Sequence, residues 1–386
     1  MKKYLSKFLF FLKTIYQTFI IKITLFYYKS CNSNNDQISL AKDRLNNRNF
    51  IWKEGAPIKV FAIFSINNWE SQLLEPLNLI GEVHHFSWPN IDDFFVDKSE
   101  WEKAHLKINE NIITEYNKLI KDNVNLIVFL YTSDFIVSKS TIAHFQNRNT
   151  FIISFCWDDI LYFKGVVKGQ PVGVSELSKG ADINLTFSPE AIPRYNFFKS
   201  PCFFWQSIPQ KNDSKSLFNF QITNNFYVLF IGSKYGNREV FVNKLIENGI
   251  PMKCYGKGWP NGGISEEQME KEIQLAPLTL GFSNVGYTRN ITTIKGRDFE
   301  VPLLGGLYLT QYSKGLEMYY DLSDEILTYT NLNDCISKIK WVQKYPYEAF
   351  KIRKAGWVKA NKVSKWDSRI AFLQNLIDRI VYPINT

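Results

Sequence analysis

Short apolar runs alternate with longer amphipathic stretches along most of the chain, which is the pattern of a parallel sheet with crossover helices. Residues 59–64, 82–86 and 126–130 read as strands, the last apolar at every position and so buried on both faces. Between them, 69–80 and 100–122 carry helical periodicity. Three further strands are expected at 150–155, 183–187 and 202–205. Lys, Asn, Asp and Ser then cluster over 211–225, as expected of an interdomain connection. A second series follows, with strands at 226–232, 252–256, 278–281, 306–310 and 326–328, a helix at 238–248, and a mainly helical tail over 331–380. The fold class is therefore α/β, with two Rossmann-like domains expected to face each other across a cleft, at 55–210 and 226–365, and a C-terminal helix over 366–386. Such an architecture alone suits an epimerase, a dehydrogenase or a binding protein equally well.

The first thirty residues follow another pattern. At about 100° per residue, Leu5, Phe8, Leu12, Ile15, Tyr16, Phe19, Ile23 and Phe26 gather on one side, with Lys2, Lys3, Lys7, Lys13, Thr14 and Gln17 opposite. Lys13 and Lys22 interrupt the apolar run, leaving it short of the roughly 20 residues a spanning helix needs. The pattern is that of a helix lying in a membrane interface, with lysines adding about 1 kcal/mol each toward anionic lipid. Phe10, Ile21 and Leu25 on the polar side also suit packing against the protein's own body. A signal peptide fits less well, because no small-residue cleavage site precedes the polar residues 31–36, and 31–54 reads as a linker.

Charge and cysteine usage narrow the class. The net charge is +9, and residues 1–30 hold six lysines and no acid, so the body is only mildly basic. It carries no zinc-finger spacing or basic helical run, so nucleic acid is not an expected partner. Five scattered cysteines suggest reduced, buried thiols. The four histidines show no metal-ligand spacing, and adjacent His84 and His85 are expected on opposite faces of a strand, one buried and one exposed.

Two segments can carry chemistry. Gly232-Ser233-Lys234-Tyr235-Gly236-Asn237-Arg238 joins a buried strand to a helix, where glycine lets backbone amides approach a phosphate and Arg238 can add a bidentate contact. The spacing is not GxGxxG, and no acid closes the next strand, which argues against a dehydrogenase. A tight turn with a solvated arginine suits it equally. In the second, Lys295, Gly296 and Arg297 enter a short helix bearing Glu300, followed by Gly305-Gly306 and an apolar strand. Arg297 and Glu300 share a helix face, and spacing alone allows either a site or a surface ion pair.

This second stretch, Gly296-Arg297-Asp298-Phe299-Glu300-Val301-Pro302 with Gly305-Gly306 and Leu309-Thr310, resembles the donor-binding segment of CgeB-like (spore maturation protein) glycosyltransferases. Asp324-Glu325-Ile326-Leu327, the opening strand ending Gly232-Ser233 with Arg238, and Tyr255-Gly256-Lys257-Gly258-Trp259 extend the resemblance over roughly 226–369. The resemblance implies a GT-B fold with a donor domain of the glycosyl transferases group 1 type. It implies that Glu300 holds the ribose of a nucleotide sugar while Arg297 and Lys295 face its diphosphate, without a metal. Related retaining enzymes carry a second glutamate eight positions earlier, where this chain has Thr292. In the amino half, Asp158 and Asp159 follow a strand, where one could serve as general base toward an acceptor or simply cap a turn.

The expectation is a glycosyltransferase with no cofactor beyond its nucleotide-sugar donor. The acceptor would be a lipid-linked or polysaccharide glycan of the cell surface, reached from the cytoplasmic face of the membrane through residues 1–30. A sugar-nucleotide epimerase or a non-catalytic nucleotide-sugar-binding protein are the alternatives.

Overall fold

A computed structural model describes residues 2–30, 36–66, 73–88, 98–121, 123–157, 159–167, 170–205, 225–286, 288, 291–363 and 366–382. They fall into two compact units, Ile23–Pro209 with Trp366–Thr386, and Met1–Lys22 with Gln210–Lys365. Among the expected elements and residues, Asp158, the amino end of the 69–80 helix and all but the last residue of the 211–225 connection lie outside the described residues.

The chain opens with α1 (Lys2–Ser30) and α2 (Gln37–Asn47) and then builds the amino unit. Its elements are β1 (Ile58–Ile63), α3 (Leu74–Leu77), β2 (Glu82–Phe86), α4 (Lys98–Asn117), β3 (Asn125–Leu130), α5 (Lys139–Gln146), β4 (Thr150–Cys156) and α6 (Asp159–Tyr162). They continue with β5 (Lys164–Val167), β6 (Gln170–Gly173), α7 (Ser175–Gly180), β7 (Ile183–Thr186), α8 (Ile192–Phe197) and β8 (Cys202–Phe204). Six parallel strands take the order β2-β1-β3-β4-β7-β8. The order reverses direction between β1 and β3, and in open sheets of this kind the crevice beyond such a reversal receives ligands. β3 is buried at every position: 126–130 are apolar throughout, and buried Asn125 donates to the Lys53 carbonyl at 2.7 Å. An antiparallel β5–β6 hairpin, too short to show alternation in sequence, is inserted after α6.

Residues 31–54, read as a linker, instead contain a packed helix. Asp36 caps α2 by accepting from the Ile38 amide at 3.0 Å, and Ala41 and Leu45 are buried. Arg44 donates to the carbonyls of Lys179 and Ala181; Arg48 donates to Asp182 at 2.7 Å and to the Thr150 carbonyl at 2.7 Å. These bonds tie α2 to the amino ends of β4 and β7.

The carboxyl unit contains β9 (Val228–Ile231), α9 (Arg238–Glu247), β10 (Met252–Tyr255), α10 (Glu266–Leu275), β11 (Leu278–Leu280), α11 (Arg297–Leu303) and β12 (Tyr308–Gln311). It ends with β13 (Leu327–Tyr329), α12 (Leu332–Lys344) and α13 (Pro346–Val363). Its five parallel strands run β10-β9-β11-β12-β13 over a core that includes Val228, Phe230, Leu280, Leu309 and Tyr329. The Gly305-Gly306 turn separates α11 from β12, with Gly305 at φ 80°. Buried Arg353 of α13 secures that turn by donating to the Gly305 carbonyl and, at 2.6 Å, to the Gln274 carbonyl. The last helix, α14 (Trp366–Val381), returns to the amino unit, where the Trp205 indole donates to the Arg369 carbonyl at 3.0 Å.

On α1 the side chains of residues 2–11, 13, 17 and 30 lie outside the described set. Among the rest, Thr14 and Ile21 are buried, and Tyr28 packs edge-on against Phe197 with ring centroids 5.1 Å apart. Leu12, Ile15, Tyr16, Phe19, Ile23 and Phe26 are 45–74% exposed. Among the described residues no helix is long and apolar enough to cross a membrane.

Candidate functional site

The parallel strands of the carboxyl unit end together, and the residues singled out in sequence lie at or beside that edge. β9 delivers Gly232, whose neighbours leave little room: an added Cβ would come within 3.0 Å of the Phe230 ring and 3.4 Å of the Arg238 guanidinium. The turn after it is stapled to the segment following β10. Lys234 donates its amide to the Lys257 carbonyl at 2.8 Å, and the Trp259 indole donates to the Gly232 carbonyl at 2.8 Å. Gly256, at φ 121°, sits so close that a Cβ would reach 2.4 Å from the Gly232 carbonyl oxygen. The two glycine segments of the resemblance are thus one packed structure.

Arg238 opens α9 with its guanidinium 4.1 Å from the Tyr235 ring centroid and 5.6 Å from that of Phe230. It donates to the Ser233 carbonyl at 2.9 Å and the Tyr235 hydroxyl at 3.2 Å, and burial lowers its pKa. A guanidinium remains charged in proteins, so this is a half-buried cation stacked on aromatic rings beside a helix amino terminus. The paired cation of the same turn is Lys234, which bridges to Glu239 at 3.0 Å.

Beyond β11 the chain turns at Gly281, where a Cβ would collide with the Tyr308 hydroxyl, and Tyr329 donates to the Gly281 carbonyl at 2.8 Å. Asn284 then bridges to Thr292, bringing the chain to Lys295 and α11. Glu300 accepts from Arg297 in a half-buried ion pair one helical turn long, and the Arg297 guanidinium also contacts the Met269 sulfur at 2.9 Å. Gly296 has open space where a Cβ would stand, so packing does not demand glycine there.

Sequence reasoning passed over the residue between them. Asp298 is fully buried, accepting from the Lys295 amide at 2.7 Å and from the Thr310 hydroxyl at 2.8 Å. Burial pushes its carboxyl up to about 6, against the pull of those donors and of the Lys295 charge. It joins the start of α11 to β12 and so fixes the helix turn that presents Arg297 and Glu300. An acid followed by a hydroxyl twelve positions later is the only trace this leaves in sequence.

In the amino unit, Asp159 is buried at the start of α6. Its carboxylate accepts from the Tyr195 hydroxyl at 2.8 Å, and its carbonyl from buried Arg194 at 2.7 Å. That geometry favours a structural role over proton transfer to an acceptor. Of the histidines expected to divide into one buried and one exposed, both are half-buried. His84 pairs with Glu82 at 2.8 Å, and His85 bonds to the Phe64 carbonyl at 2.8 Å.

Two α/β units, each a parallel sheet with crossover helices, together make the two-domain fold of GT-B glycosyltransferases. Residues 238–375, about a third of the chain, match the family described as glycosyl transferase-like, a stretch that runs from Arg238 through Glu300. No curated protein matches the chain in sequence. Among solved structures, sucrose-phosphate synthase from Thermosynechococcus elongatus is similar at 12% identity and a TM-score of 0.56, over 83% of this chain and 99% of that one. A glycosyltransferase from Rickettsia africae is similar at 10% identity and a TM-score of 0.56, covering 86% of this chain and 100% of its own. The Anabaena protein HepE in complex with UDP-glucose is similar at 8% identity and a TM-score of 0.51, over 83% and 99%.

Proposed function

We propose that this protein transfers a sugar from a nucleotide-sugar donor, held at the carboxyl edge of β9 to β12, to a lipid-linked or polysaccharide acceptor in cell-surface glycan synthesis. The observation that carries the reading is the gathering, within one unit that matches a glycosyl transferase-like family, of Gly232, Ser233 and Arg238 on one turn and Lys295, Gly296, Arg297 and Glu300 on another. Glu300 is assigned to the ribose hydroxyls. Arg297, Lys295 and Arg238 are assigned to the diphosphate, where side-chain cations, without a metal, offset the charge that builds as the glycosidic bond breaks. HepE has been captured with UDP-glucose, which makes UDP the first ligand to try.

The exposed apolar face of α1 supports attachment to the inner face of the cell membrane, with Lys22 and Lys29 exposed along the same helix. A non-catalytic nucleotide-sugar-binding protein is the second reading, suggested by Thr292 in place of a glutamate.

Titration of the purified chain with UDP tests the donor site. Glu300→Ala removes an acceptor of charge-assisted bonds, each worth about 1.5–3 kcal/mol, so UDP should bind roughly 10- to 100-fold more weakly. Unchanged affinity would place the donor elsewhere. Release of nucleotide diphosphate from a panel of nucleotide sugars with membrane extract separates transfer from binding alone.

A further inference from the structure

The mild net charge of the body hides a strong segregation. Residues 31–330 hold 29 basic and 33 acidic residues, whereas 331–365 hold nine basic and two acidic. Contrary to the sequence reading, a basic helical run is therefore present, divided between α12 and α13 of the carboxyl unit. Arg353 is buried, but Lys340, Lys344, Lys351, Lys354 and Lys362 are exposed. Lys351 pairs with Glu348 at 3.0 Å, and among the described residues the other four have no acidic partner.

On α13, Tyr347, Lys351, Lys354, Val358 and Lys362 recur at intervals of three and four, so they share one outward face about 22 Å long. The helix is anchored at the amino ends of the strands. Arg353 secures the turn before β12, and Gly356 lies against the Glu325 carbonyl, before β13, with no room for a Cβ. The basic face thus belongs to the edge of this sheet opposite the donor edge.

Between α12 and α13 lies a cleft of about 660 Å³. Leu327, Trp341 and Ile352 give it an apolar floor, and Asp324, Ser337 and Lys338 a polar rim. The Trp341 ring packs 5.9 Å from that of Tyr345, and its indole N–H has no partner among the described residues. An aromatic floor ringed by donors and acceptors suits the apolar face and hydroxyl edge of a sugar ring.

We infer that this surface holds an acidic polysaccharide, with one sugar in the Trp341 cleft and its carboxylates along the lysines of α12 and α13. The local excess of positive charge complements such a polyanion. A lipid surface fits less well: the exposed large apolar residues of these helices are Tyr345, Tyr347 and Val358, which leaves little to bury in hydrocarbon. Nucleic-acid phosphates favour arginine forks, and the single arginine of these helices is buried. A grip on the edge opposite the donor serves a long chain held behind its reacting end, so the acceptor of the proposed transfer is a charged polymer. That identification of the acceptor rests on the transferase reading above; the binding surface itself does not.

The test titrates the full chain with polygalacturonate, using dextran as the uncharged control and polythymidylate as the nucleic-acid control. The parent should bind polygalacturonate, more weakly as salt rises, and should not bind dextran. Lys344→Glu, Lys354→Glu and Lys362→Glu together should weaken binding by about 10-fold or more. Trp341→Ala should weaken it by roughly 10-fold or more, and Trp341→Phe, which keeps an aromatic floor, should restore it. All variants should bind UDP as the parent does, which reports that the carboxyl unit is folded. No binding of polygalacturonate by the parent, equal binding of dextran, tighter binding of polythymidylate, or parent-like binding by either the lysine variant or Trp341→Ala would overturn the inference. Binding of polygalacturonate by a parent that neither binds UDP nor transfers sugar would instead remove the transferase reading and leave the surface standing.

Discussion

At the scale of single residues, Asp298 gives the most direct test of the site's construction. Its carboxyl is raised from 3.8 to about 6 by burial, so the folded protein holds that proton more tightly than the unfolded chain does. The resulting contribution to stability is complete below about pH 4 and is lost as pH rises through about 6, amounting to roughly 3 kcal/mol. Asp298→Asn cannot ionise. Compared with the parent by urea unfolding at pH 4.5 and 7.5, it should lose less stability on going to the higher pH, and identical changes in both proteins would refute the buried, protonatable state. The residue also shows what sequence conceals at this scale. Arg297 and Glu300 were legible as a possible pair because their spacing puts them on one face of a helix, and they do form one. Asp298 was not, because an aspartate near a helix start reads as a surface cap until Thr310 arrives from the neighbouring strand. Asp159 was legible only as either a base or a turn cap, and His84 and His85 only as one buried and one exposed, because their surroundings come from partners distant in sequence: Tyr195 lies 36 positions from Asp159 and Phe64 lies 21 from His85.

At the scale of elements, the strands of the two parallel sheets were legible to within about two residues, because stretches such as 125–130 and 150–156 are apolar enough to be buried on both faces. The helix within 31–54 was hidden because its apolar stripe is thin: only Ala41 and Leu45 are buried, and its attachment relies on Arg44 and Arg48, residues that ordinarily signal solvent. α1 is the reverse case. At the described positions Thr14, expected on the lysine-bearing face, is buried together with Ile21, while Phe19, Ile23 and Phe26 of the expected apolar face are left open. If that open face enters a bilayer, Phe19→Asp, Ile23→Asp and Phe26→Asp together should abolish flotation with vesicles containing anionic lipid. Each large apolar side chain contributes about 1.5–3 kcal/mol on burial, so losing three lowers partitioning by well over 10³-fold. Thermal unfolding should hardly move, since the three side chains are exposed in the protein itself. Flotation equal to the parent's would remove the membrane assignment, and loss of a dimer in vesicle-free solution would transfer the face to self-association.

At the scale of the whole molecule, the chain closes its first-built unit with its last helix. α14 leaves the carboxyl unit at Trp366 and buries Trp366, Ile370, Leu373, Leu376, Ile377 and Ile380 in the amino unit, beside α2 and α3. Burial of six such side chains contributes roughly 10 kcal/mol or more as an upper estimate, comparable to the entire stability of an ordinary domain. A chain ending at residue 365 should therefore lose structure in the amino unit, although every strand of that unit precedes residue 205. The carboxyl unit retains its sheet, its covering helices and the turn secured by Arg353, so it should keep both its fold and its affinity for UDP. Hydrogen exchange followed by mass spectrometry separates the two. Protection should collapse across β1 to β8 and persist across β9 to β13. Uniform loss of protection would mean that the carboxyl unit depends on the rest of the chain, and uniform retention that α14 contributes far less than its burial implies.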